Sequence, residues 1–294
     1  MKSTNDTGVL VQKPSWLKRR LPTGPNYEKI RGMIRNDRLH TVCQEAKCPN
    51  MWECYSQHTA TFLIMGPRCT RNCSFCSVKA DPLHPPDPEE PARVAKVARR
   101  MGLKYVVVTS VSRDDLSDGG AGIFAKTIEE IHKVIPDVCI EVLIPDFQGS
   151  LAALQTVLRA RPDVLNHNLE TVPRLYSQVR PQADYRRSLD LIQRSSKSAP
   201  GIPTKSGLML GLGEKHSEIK QSLQDLRNAN CQMLTLGQYL QPSKRHLPVT
   251  RYVLPQEFEE WRQTALNMGF AQVASGPFVR SSYHANELYQ KVSV

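Results

Sequence analysis

Apolar residues follow two alternating patterns along most of the chain, and these patterns predict its secondary structure. Short, nearly continuous apolar runs are typical of strands buried on both faces. They alternate with segments whose apolar residues fall on one helical face. The predicted strands are residues 59–66, 105–110, 138–144, 163–170, 206–212, 232–240 and a short run near 270–275. The predicted helices are residues 89–101, 121–134, 150–160, 184–198, 214–229 and 255–268.

This alternation predicts a parallel sheet covered by helices. About six β/α units are present, fewer than the eight of a complete barrel. The glycine-rich segment 207–213 does not complete a dinucleotide-binding fingerprint, because His216 stands at the expected third glycine position. We therefore predict an α/β fold, a partial (β/α)6 TIM-type barrel over residues 59–240. Residues 1–58 and 241–294 are expected to form N- and C-terminal extensions.

Composition and charge narrow the class of protein. The 294 residues are 40% hydrophobic, enough for a sizeable core, and only 6% aromatic, so aliphatic residues must build most of it. No run of about eighteen apolar residues occurs, and the first residues lack the apolar core of a secretory signal. We therefore expect a cytoplasmic protein. The formal charge of +11 favours acidic partners without choosing among nucleic acid, membranes and proteins.

Six of the eight cysteines form two triplets, and these carry the candidate chemistry. The second triplet, Cys69, Cys73 and Cys76, has the spacing C-x3-C-x2-C in the loop after the first predicted strand. Three thiolates there can hold three corners of a [4Fe–4S] cluster and leave one iron open. Zinc is an alternative, but no histidine or fourth cysteine follows in this loop. A disulfide would leave one thiol unpaired.

The first triplet, Cys43, Cys48 and Cys54, has the spacing C-x4-C-x5-C. By itself this spacing is not specific, because a zinc knuckle or a cluster of buried thiols would have the same spacing. Like the second triplet, it is one thiolate short of a complete ligand set, so we expect two metal centres that take part in chemistry. The other cysteines, Cys139 and Cys231, lie in or beside predicted strands and are interpreted as small buried hydrophobic residues.

The second triplet, placed after the first strand of a β/α barrel, is similar to the signature of the radical S-adenosylmethionine superfamily. Together the two triplets resemble the lipoyl synthase family. The strings that carry this resemblance, over roughly residues 40–285, are TVCQEAKCPN (41–50), TATFLIMG (59–66), VTSVSRDDLSDGGA (108–121), NHNLETVPRLY (166–176), PTKSGLMLGLGE (203–214), LTLGQYLQPSKRHLPV (234–249) and GPFVRSSYHA (276–285).

The resemblance implies a radical S-adenosylmethionine sulfurtransferase with two [4Fe–4S] clusters. One cluster, at Cys69, Cys73 and Cys76, would bind S-adenosylmethionine and generate a 5′-deoxyadenosyl radical. The auxiliary cluster, at the first triplet, would take its fourth ligand from the R-S-S-Y motif, at Ser282 or alternatively at Ser281. It would be consumed as the sulfur donor. The implied product is the lipoyl cofactor, made by inserting sulfur at carbons 6 and 8 of a protein-bound octanoyl-lysine.

The implied partners are octanoylated lipoyl carrier domains, in the E2 subunits of 2-oxoacid dehydrogenases and in the glycine cleavage H protein. A low-potential electron donor such as ferredoxin or flavodoxin is also implied, whereas nucleic acid and membranes are not. Two alternatives stay open. One is another radical enzyme with an auxiliary cluster, such as a methylthiotransferase acting on RNA, although no RNA-binding motif is appended. The other is a nucleic-acid-binding zinc protein without catalysis.

Functional side chains of β/α barrels gather at the carboxyl ends of the strands and in the loops that follow. This rule selects Thr109, Ser110, Ser112, Arg113, Asp114, Asn166, Asn168, Glu170, Gln238 and Tyr239. The resemblance implies that such residues bind S-adenosylmethionine, and our candidates are Thr109, Asn168 and Glu170. The last two alternate along a predicted strand and so are expected to face the same side. Arg180 resembles the family's carboxylate-binding arginine, with a surface arginine as the alternative.

Other conspicuous residues are interpreted as structural. Lys205 precedes its strand and is expected to support the fold. A glycine-rich capping loop, rather than a divalent-metal site, is expected for Asp114, Asp115 and Asp118. None of the histidines has metal-like spacing, and hydrogen-bonded structural roles are expected for His40, His167 and His246.

Overall fold

The computed structural model describes residues 2–4, 10–18, 25–56, 60–80 and 83–290. Its strands are β1 Lys2–Thr4, β2 Leu10–Gln12, β3 His40–Thr41, β4 Thr61–Ile64, β5 Arg68–Cys69, β6 Lys79–Ala80, β7 Tyr105–Ser110, β8 Cys139–Leu143, β9 Val164–Asn166, β10 Thr204–Leu210, β11 Met233–Gln238 and β12 Gln272–Gly276. Its helices are α1 Pro25–Asn36, α2 Val42–Glu45, α3 Met51–Ser56, α4 Glu90–Arg100, α5 Ala121–Val134, α6 Leu151–Arg159, α7 Tyr176–Val179, α8 Tyr185–Ser198, α9 His216–Asn228, α10 Pro255–Asn267 and α11 Ala285–Gln290. Among these described residues, no helix is both long and apolar enough to cross a membrane.

One sheet organises the described residues and confirms the predicted α/β fold. Its strand order is β12-β11-β10-β9-β8-β7-β4-β3, so β12 and β3 form its two edges. Neighbouring strands from β4 to β12 are parallel, whereas the short β3 pairs antiparallel with β4. A segment containing at least one helix joins each consecutive pair of parallel strands, which is the connection that parallel pairing requires.

Most predicted elements agree with the structure to within two residues at each end, and β9 is the main exception. The hydrophobic pattern predicted a strand to residue 170, but β9 ends at Asn166. Glu170 adopts a φ of 67°, in the left-handed region that a strand does not use. It rejoins the sheet through a single bridge to Leu208. The chain therefore leaves the extended conformation earlier than its apolar pattern indicated.

The N-terminal region contains a helix that the sequence pattern did not single out. In α1, Tyr27, Ile30 and Ile34 are buried at intervals of three and four residues, which is a helical period. Pro25 begins this helix, at the position where proline is tolerated. Residues 1–58 were expected to form an extension without a helix, and α1 corrects that expectation.

Two hydrophobic cores cover the outer face of the sheet. Val106 and Val108 of β7 and Ile140 of β8 share one core with the buried faces of α4, α5 and α6. Leu208 and Leu234, from β10 and β11, share the second core with α9 and α10. Completely burying a side chain of this size contributes about 1.5–3 kcal/mol to stability, so these alternating outward positions hold the helices on the sheet.

The C-terminal helix lies on the inner face of the sheet. Ala285 of α11 shares a small apolar cluster with Tyr105, and Leu288 shares another with Val164 and Met233. These three partners stand at the amino ends of β7, β9 and β11. Helix α11 therefore occupies the end of the barrel opposite to the carboxyl ends of the strands.

The segment that joins β12 to α11 crosses the barrel interior. Strand β12 ends on the carboxyl side of the sheet, whereas α11 lies on the amino side, so residues 277–284 must pass along the inner face. Gly237 of β11 leaves room for this passage. A Cβ at that position would lie 2.2 Å from the carbonyl oxygen of Val279, which no side chain can accommodate.

Four polar side chains form a buried network on the inner face. The Lys205 ammonium lies 2.9 and 3.0 Å from the two carboxylate oxygens of Glu141, and both side chains are fully buried. The Tyr105 hydroxyl and the Asn166 amide donate to the same carboxylate at 2.7 and 2.9 Å. Burial and the charge of Glu141 raise the pKa of Tyr105, which therefore remains a donor. The prediction that Lys205 is structural is confirmed, although Lys205 lies within β10 and not before the strand.

The three histidines make the expected hydrogen bonds. His167 is buried, and its ring bonds the carbonyl of Ile144 at 2.8 Å and the Ser188 hydroxyl at 3.0 Å. Burial lowers the pKa of His167 to about 4, so it is neutral at physiological pH. His40 contacts Glu45 at 3.2 Å, and His246 bonds the carbonyl of Cys76 at 2.9 Å.

Candidate active site

The second cysteine triplet lies beyond the carboxyl end of β4. The sulfur of Cys69 accepts hydrogen bonds from the backbone N–H groups of Arg71, at 3.4 Å, and Ser112, at 3.3 Å. The thiolate charges of Cys69 and Cys73 would both raise the pKa of Cys76, because the three side chains lie close together. Burial raises the pKa of Cys76 to about 12 and also raises that of Cys73. Metal binding would therefore have to release protons from these thiols.

An arginine that the sequence analysis did not single out holds the cysteine loop in place. Arg71 is buried, and its guanidinium donates to the two oxygens of Asp114 at 2.7 and 2.9 Å and to Asp146 at 2.6 Å. Although burial alone would raise it, the contact with Arg71 lowers the pKa of Asp146 to about 2. The loops that follow β7 and β8 thereby attach to the loop that carries the thiols.

The three aspartates after β7 have different roles, so the prediction of one capping loop is only partly confirmed. Asp118 accepts hydrogen bonds from the N–H groups of Gly120 and Gly122 at the start of α5, both at 2.8 Å. Asp115 instead pairs with Arg113 at 2.7 Å. Asp114 pairs with the buried arginine of the cysteine loop. A charged partner holds these two carboxylates more strongly than a backbone N–H would.

Asn168, Glu170 and Arg180 lie together beside the second triplet. The amide of Asn168 donates to Glu170 at 2.9 Å, and the Arg180 guanidinium donates to the carbonyl of Asn168 at 2.9 Å. The positive charge of Arg180 opposes the rise in pKa that burial causes at both Glu170 and Cys73. Arg180 also lies 5.5 Å from the ring centre of Tyr176, and its Nε is buried. The alternative of a surface arginine is therefore wrong.

Several residues selected by the barrel rule instead support the backbone. The Thr109 hydroxyl donates to the carbonyl of Leu143 at 2.8 Å, inside the sheet. The Gln238 amide donates to the carbonyls of Leu210, at 3.1 Å, and Arg251, also at 3.1 Å. The Tyr239 hydroxyl bonds a loop carbonyl at 2.7 Å. The structure thus brings Asn168, Glu170 and Arg180 together and engages Thr109, Gln238 and Tyr239 elsewhere.

The first triplet is carried by α2, α3 and the turn between them. The N–H of Cys48 donates to the carbonyl of Cys43 at 3.0 Å, and Cys54 lies in α3. Burial and the charges of Cys48 and Cys54 raise the pKa of Cys43, while a hydrogen bond from the backbone of Thr61 opposes this rise. The three thiols therefore share a second, partly buried site, next to the start of β4.

The two serines of the R-S-S-Y segment face different neighbours. The Ser282 hydroxyl accepts a hydrogen bond from the Thr61 hydroxyl at 2.7 Å, on the side of the first triplet. The Ser281 hydroxyl accepts one from the amide of Asn168 at 2.6 Å, on the side of the second triplet. The segment thus lies between the two thiol sites.

Further contacts join this segment to both sites. Burial lowers the pKa of Arg280, whereas the negative charges of Cys48, in the first site, and Glu170, beside the second, oppose this shift. The Tyr283 hydroxyl donates to the carboxylate of Glu53 at 2.9 Å, beside the last cysteine of the first triplet. The sequence signal for these residues was the motif itself, whereas nothing local indicated Thr61 or Glu53 as its partners.

The donor atoms fit the cofactors that the sequence implied. Buried polar atoms without a protein partner among the described residues include Asn168 Oδ1, Arg180 Nε and Ser110 Oγ, which suit an amphoteric ligand with amino and carboxylate groups. Three soft thiols at each site suit iron–sulfur clusters. The described residues contain no preformed group of three or more Cys, His, Asp or Glu that could hold a metal ion. The cluster assignment therefore depends on donor chemistry and on comparison with relatives.

Comparison with known proteins identifies the family. Residues 63–226 match the radical SAM superfamily, and residues 2–48 match the N-terminal domain of lipoyl synthase. The lipoyl synthase of Desulfotalea psychrophila is 57% identical over 97% of this chain and 95% of its own length. The chain belongs to the lipoyl synthase family. The lipoyl synthase of Caldanaerobacter subterraneus, 54% identical over 95% of this chain and 97% of its own length, agrees.

Solved structures support the fold of this lipoyl synthase family member. Methylornithine synthase superposes with a TM-score of 0.54 at 15% identity, over 72% of this chain and 69% of its own. Coproporphyrinogen III oxidase from Escherichia coli superposes with a TM-score of 0.51 at 13% identity, over 70% of this chain and 52% of its own. The predicted barrel type is therefore confirmed.

Family membership also assigns the cofactors and the type of enzyme. Members of the lipoyl synthase family are radical sulfurtransferases that use S-adenosylmethionine and two [4Fe–4S] clusters, and both expectations for this chain are confirmed. The match covers nearly the whole chain, including the segment with the first triplet. Neither an RNA methylthiotransferase nor a non-catalytic zinc protein predicts such a match.

Proposed function

We propose that the protein inserts two sulfur atoms, at carbons 6 and 8, into an octanoyl chain amide-linked to a lysine of a carrier domain. The observation that carries this proposal is the position of the R-S-S-Y segment between the two thiol sites. Ser282 contacts Thr61, whose backbone bonds Cys43, while Ser281 contacts Asn168. A reaction that begins at one cluster and takes sulfur from the other requires two sites with a common interior.

Each thiol site has a distinct proposed role. Cys69, Cys73 and Cys76 would hold the cluster whose open iron binds S-adenosylmethionine. The first triplet and Ser282 would hold the auxiliary cluster, the sulfur donor. When bound, these groups supply a 5′-deoxyadenosyl radical and the sulfur atoms. An alkoxide oxygen matches iron less well than thiolate does, so a serine is suited to release that iron when the auxiliary cluster is spent.

The residues beside the second triplet would orient S-adenosylmethionine. The guanidinium of Arg180, whose Nε is buried, suits its carboxylate, and Asn168 Oδ1 and Glu170 are acceptors for its amino group. Burial raises the pKa of Glu170, while Arg180 and Asn168 oppose that rise. We keep Thr109 as a weaker candidate, because its hydroxyl already bonds Leu143.

The proposed radical reaction does not require a general acid or a general base. The C–H bonds of an alkyl chain are too weakly acidic for a positioned base to ionise. The chain would therefore bind and orient the cofactor, which would supply the radical when bound, and would exclude water from it. Buried side chains on the inner face, such as Tyr105 and Asn168, suit this role of excluding water.

Anaerobic reconstitution followed by a turnover assay tests the function. Two four-iron clusters predict about eight iron and about eight sulfide per chain. With S-adenosylmethionine, a reductant and an octanoylated carrier, mass spectrometry should detect a carrier that has gained two sulfur atoms as the dithiol, or that has also lost two hydrogens as the cyclic disulfide after oxidation. Stoichiometric zinc without iron, or an unchanged carrier alongside a functioning reference enzyme, would contradict the proposal.

We further propose octanoylated E2 and H-protein lipoyl domains as substrates, and ferredoxin or flavodoxin as the electron donor. Five basic side chains, which extend from the barrel mouth along α4, support a carrier with an acidic surface. Arg38, Arg68 and Arg93 line a groove of about 150 Å³ beyond the carboxyl end of β4. Lys96 and Arg100 continue these positive charges along α4 toward its C-terminal end, and they are 64% and 44% exposed around Asp37. We call these five residues the basic face.

Charge reversal on the basic face tests this docking. The double variant Arg38→Glu and Lys96→Glu should raise the KM for an octanoylated carrier domain about tenfold at low salt, with kcat unchanged, because two favourable charges become repulsive. High salt should reduce the difference. The matched control reverses Lys133 and Arg159, at the C-terminal ends of α5 and α6. Equal effects of both double variants, or a KM independent of salt, would contradict docking at this face.

A further inference from the structure

Thr61 contacts both chain segments that form the proposed auxiliary site. Its hydroxyl donates to the Ser282 hydroxyl at 2.7 Å, and its backbone N–H bonds the thiol of Cys43. Thr61 and Ser282 are 221 residues apart in the sequence. One residue at the start of β4 therefore joins the N-terminal cysteines to the C-terminal serine.

The surroundings of Thr61 restrict where Ser282 can lie. Thr61 is only 5% exposed and pairs across the sheet with Val107. Val107 belongs to the apolar cluster that contains Ala285, three residues after Ser282. The serine is therefore held at its side chain by Thr61 and through the main chain by α11. A buried strand position of this kind would otherwise suit valine, which has the shape of threonine without its hydroxyl.

We propose that Thr61 is the positioning residue for the serine ligand of the auxiliary cluster. This inference rests on the proposed function, because it assumes that Ser282 binds iron. The serine oxygen has two lone pairs as a hydroxyl and three as the alkoxide that would bind iron, so a hydrogen bond from Thr61 still leaves a lone pair for the metal. The same bond selects one rotamer of Ser282 and keeps its oxygen on the side of Cys43, whether or not the iron is bound.

The variant Thr61→Val tests this role in the reconstituted holoprotein. It preserves the side-chain shape and the backbone bond to Cys43, and it removes only the hydroxyl. We expect the first iron of the auxiliary cluster to be lost to a chelator about fivefold faster than in the wild type, the effect of losing one hydrogen bond. The Mössbauer signature of the serine-bound iron should change as well. Thr61→Ser, which keeps the hydroxyl, should stay within about twofold of the wild type.

Two controls separate positioning from general damage. Thr127→Val removes another buried hydroxyl, bonded at 2.7 Å to the carbonyl of Ile123 in α5, and should leave both clusters unchanged. In a Ser282→Ala background, Thr61→Val should cause no further acceleration, because it acts through the missing serine. If Thr61→Val does not accumulate as folded protein, Thr61→Ala removes the same hydroxyl.

Several outcomes would overturn the inference. They are a wild-type rate of iron loss in Thr61→Val, an equal acceleration in the Ser282→Ala background, and an equal loss of iron from both clusters. Unchanged iron release in Ser282→Ala itself would remove the serine from the ligand set and overturn the inference with it. Failure of the wild type to insert sulfur, with the Thr61 effect intact, would count against the proposed function alone.

Discussion

Replacing Ser282 with alanine is expected to lower sulfur insertion into an octanoylated carrier at least about a hundredfold, while 5′-deoxyadenosine still forms. The substitution removes the proposed fourth ligand of the auxiliary cluster and leaves the contacts among Asn168, Glu170 and Arg180 in place. Product formation on the carrier is measured by mass spectrometry, and 5′-deoxyadenosine is measured in the same reaction.

Two further variants complete this experiment. Ser281→Ala is the matched control, because it removes a hydroxyl one residue away that bonds Asn168 instead of Thr61. It should retain the wild-type spectrum of the auxiliary cluster. Cys73→Ala should abolish both products, because the radical would no longer form. Full sulfur insertion by Ser282→Ala would contradict the ligand assignment, and loss of the auxiliary spectrum in Ser281→Ala instead would transfer that role to Ser281.

Replacing Lys205 with methionine is expected to lower the free energy of unfolding by about 3–5 kcal/mol. The substitution leaves the carboxylate of Glu141 fully buried, with only Tyr105 and Asn166 as donors. A buried charge without its partner is costly, because the desolvation of the remaining ion is no longer repaid. Denaturant unfolding of the variant and the wild type, under identical anaerobic conditions, measures the difference.

Comparison with an exposed ion pair shows whether burial is the cause. Arg174 is 49% exposed and pairs with Glu218 at 2.7 Å, so Arg174→Met should cost much less than Lys205→Met. The double variant Lys205→Met and Glu141→Leu should recover much of the loss, since it removes both charges together. A cost for Lys205→Met no larger than that for Arg174→Met would contradict the expected role of the network.

The hydrophobic pattern was sufficient for most of the sheet and for its covering helices, but not for the short edge strand β3. Helix α5 was predicted at its observed bounds because its apolar period is regular and a glycine pair precedes it. Strand β7 was also predicted at its observed bounds, since its run of β-branched residues is buried from Tyr105 to Thr109. The pattern failed for β9, because the turn away from the strand depends on the backbone conformation at Glu170 rather than on hydrophobicity.

Some features of the candidate site follow from spacing along the chain, whereas others depend on contacts between distant residues. Cys69, Cys73 and Cys76 lie within eight residues, so the covalent chain already brings them near one another. The bond from Arg71 to Asp146 joins residues 75 apart, and no local spacing indicates it. The rule that selected residues at strand ends could not tell Asn168, which lies at the site, from Thr109, whose hydroxyl bonds the neighbouring strand.

The sequence by itself determined the α/β class, both thiol triplets and, through family resemblance, the reaction. These properties follow from hydrophobic period and from spacing along the chain, which any fold must respect. Only the tertiary structure decided that Ser282 lies against Thr61 and Ser281 against Asn168. Two adjacent, chemically identical side chains cannot be told apart by composition or period. They differ because residues 277–284 cross the barrel interior, where each serine meets a different strand end.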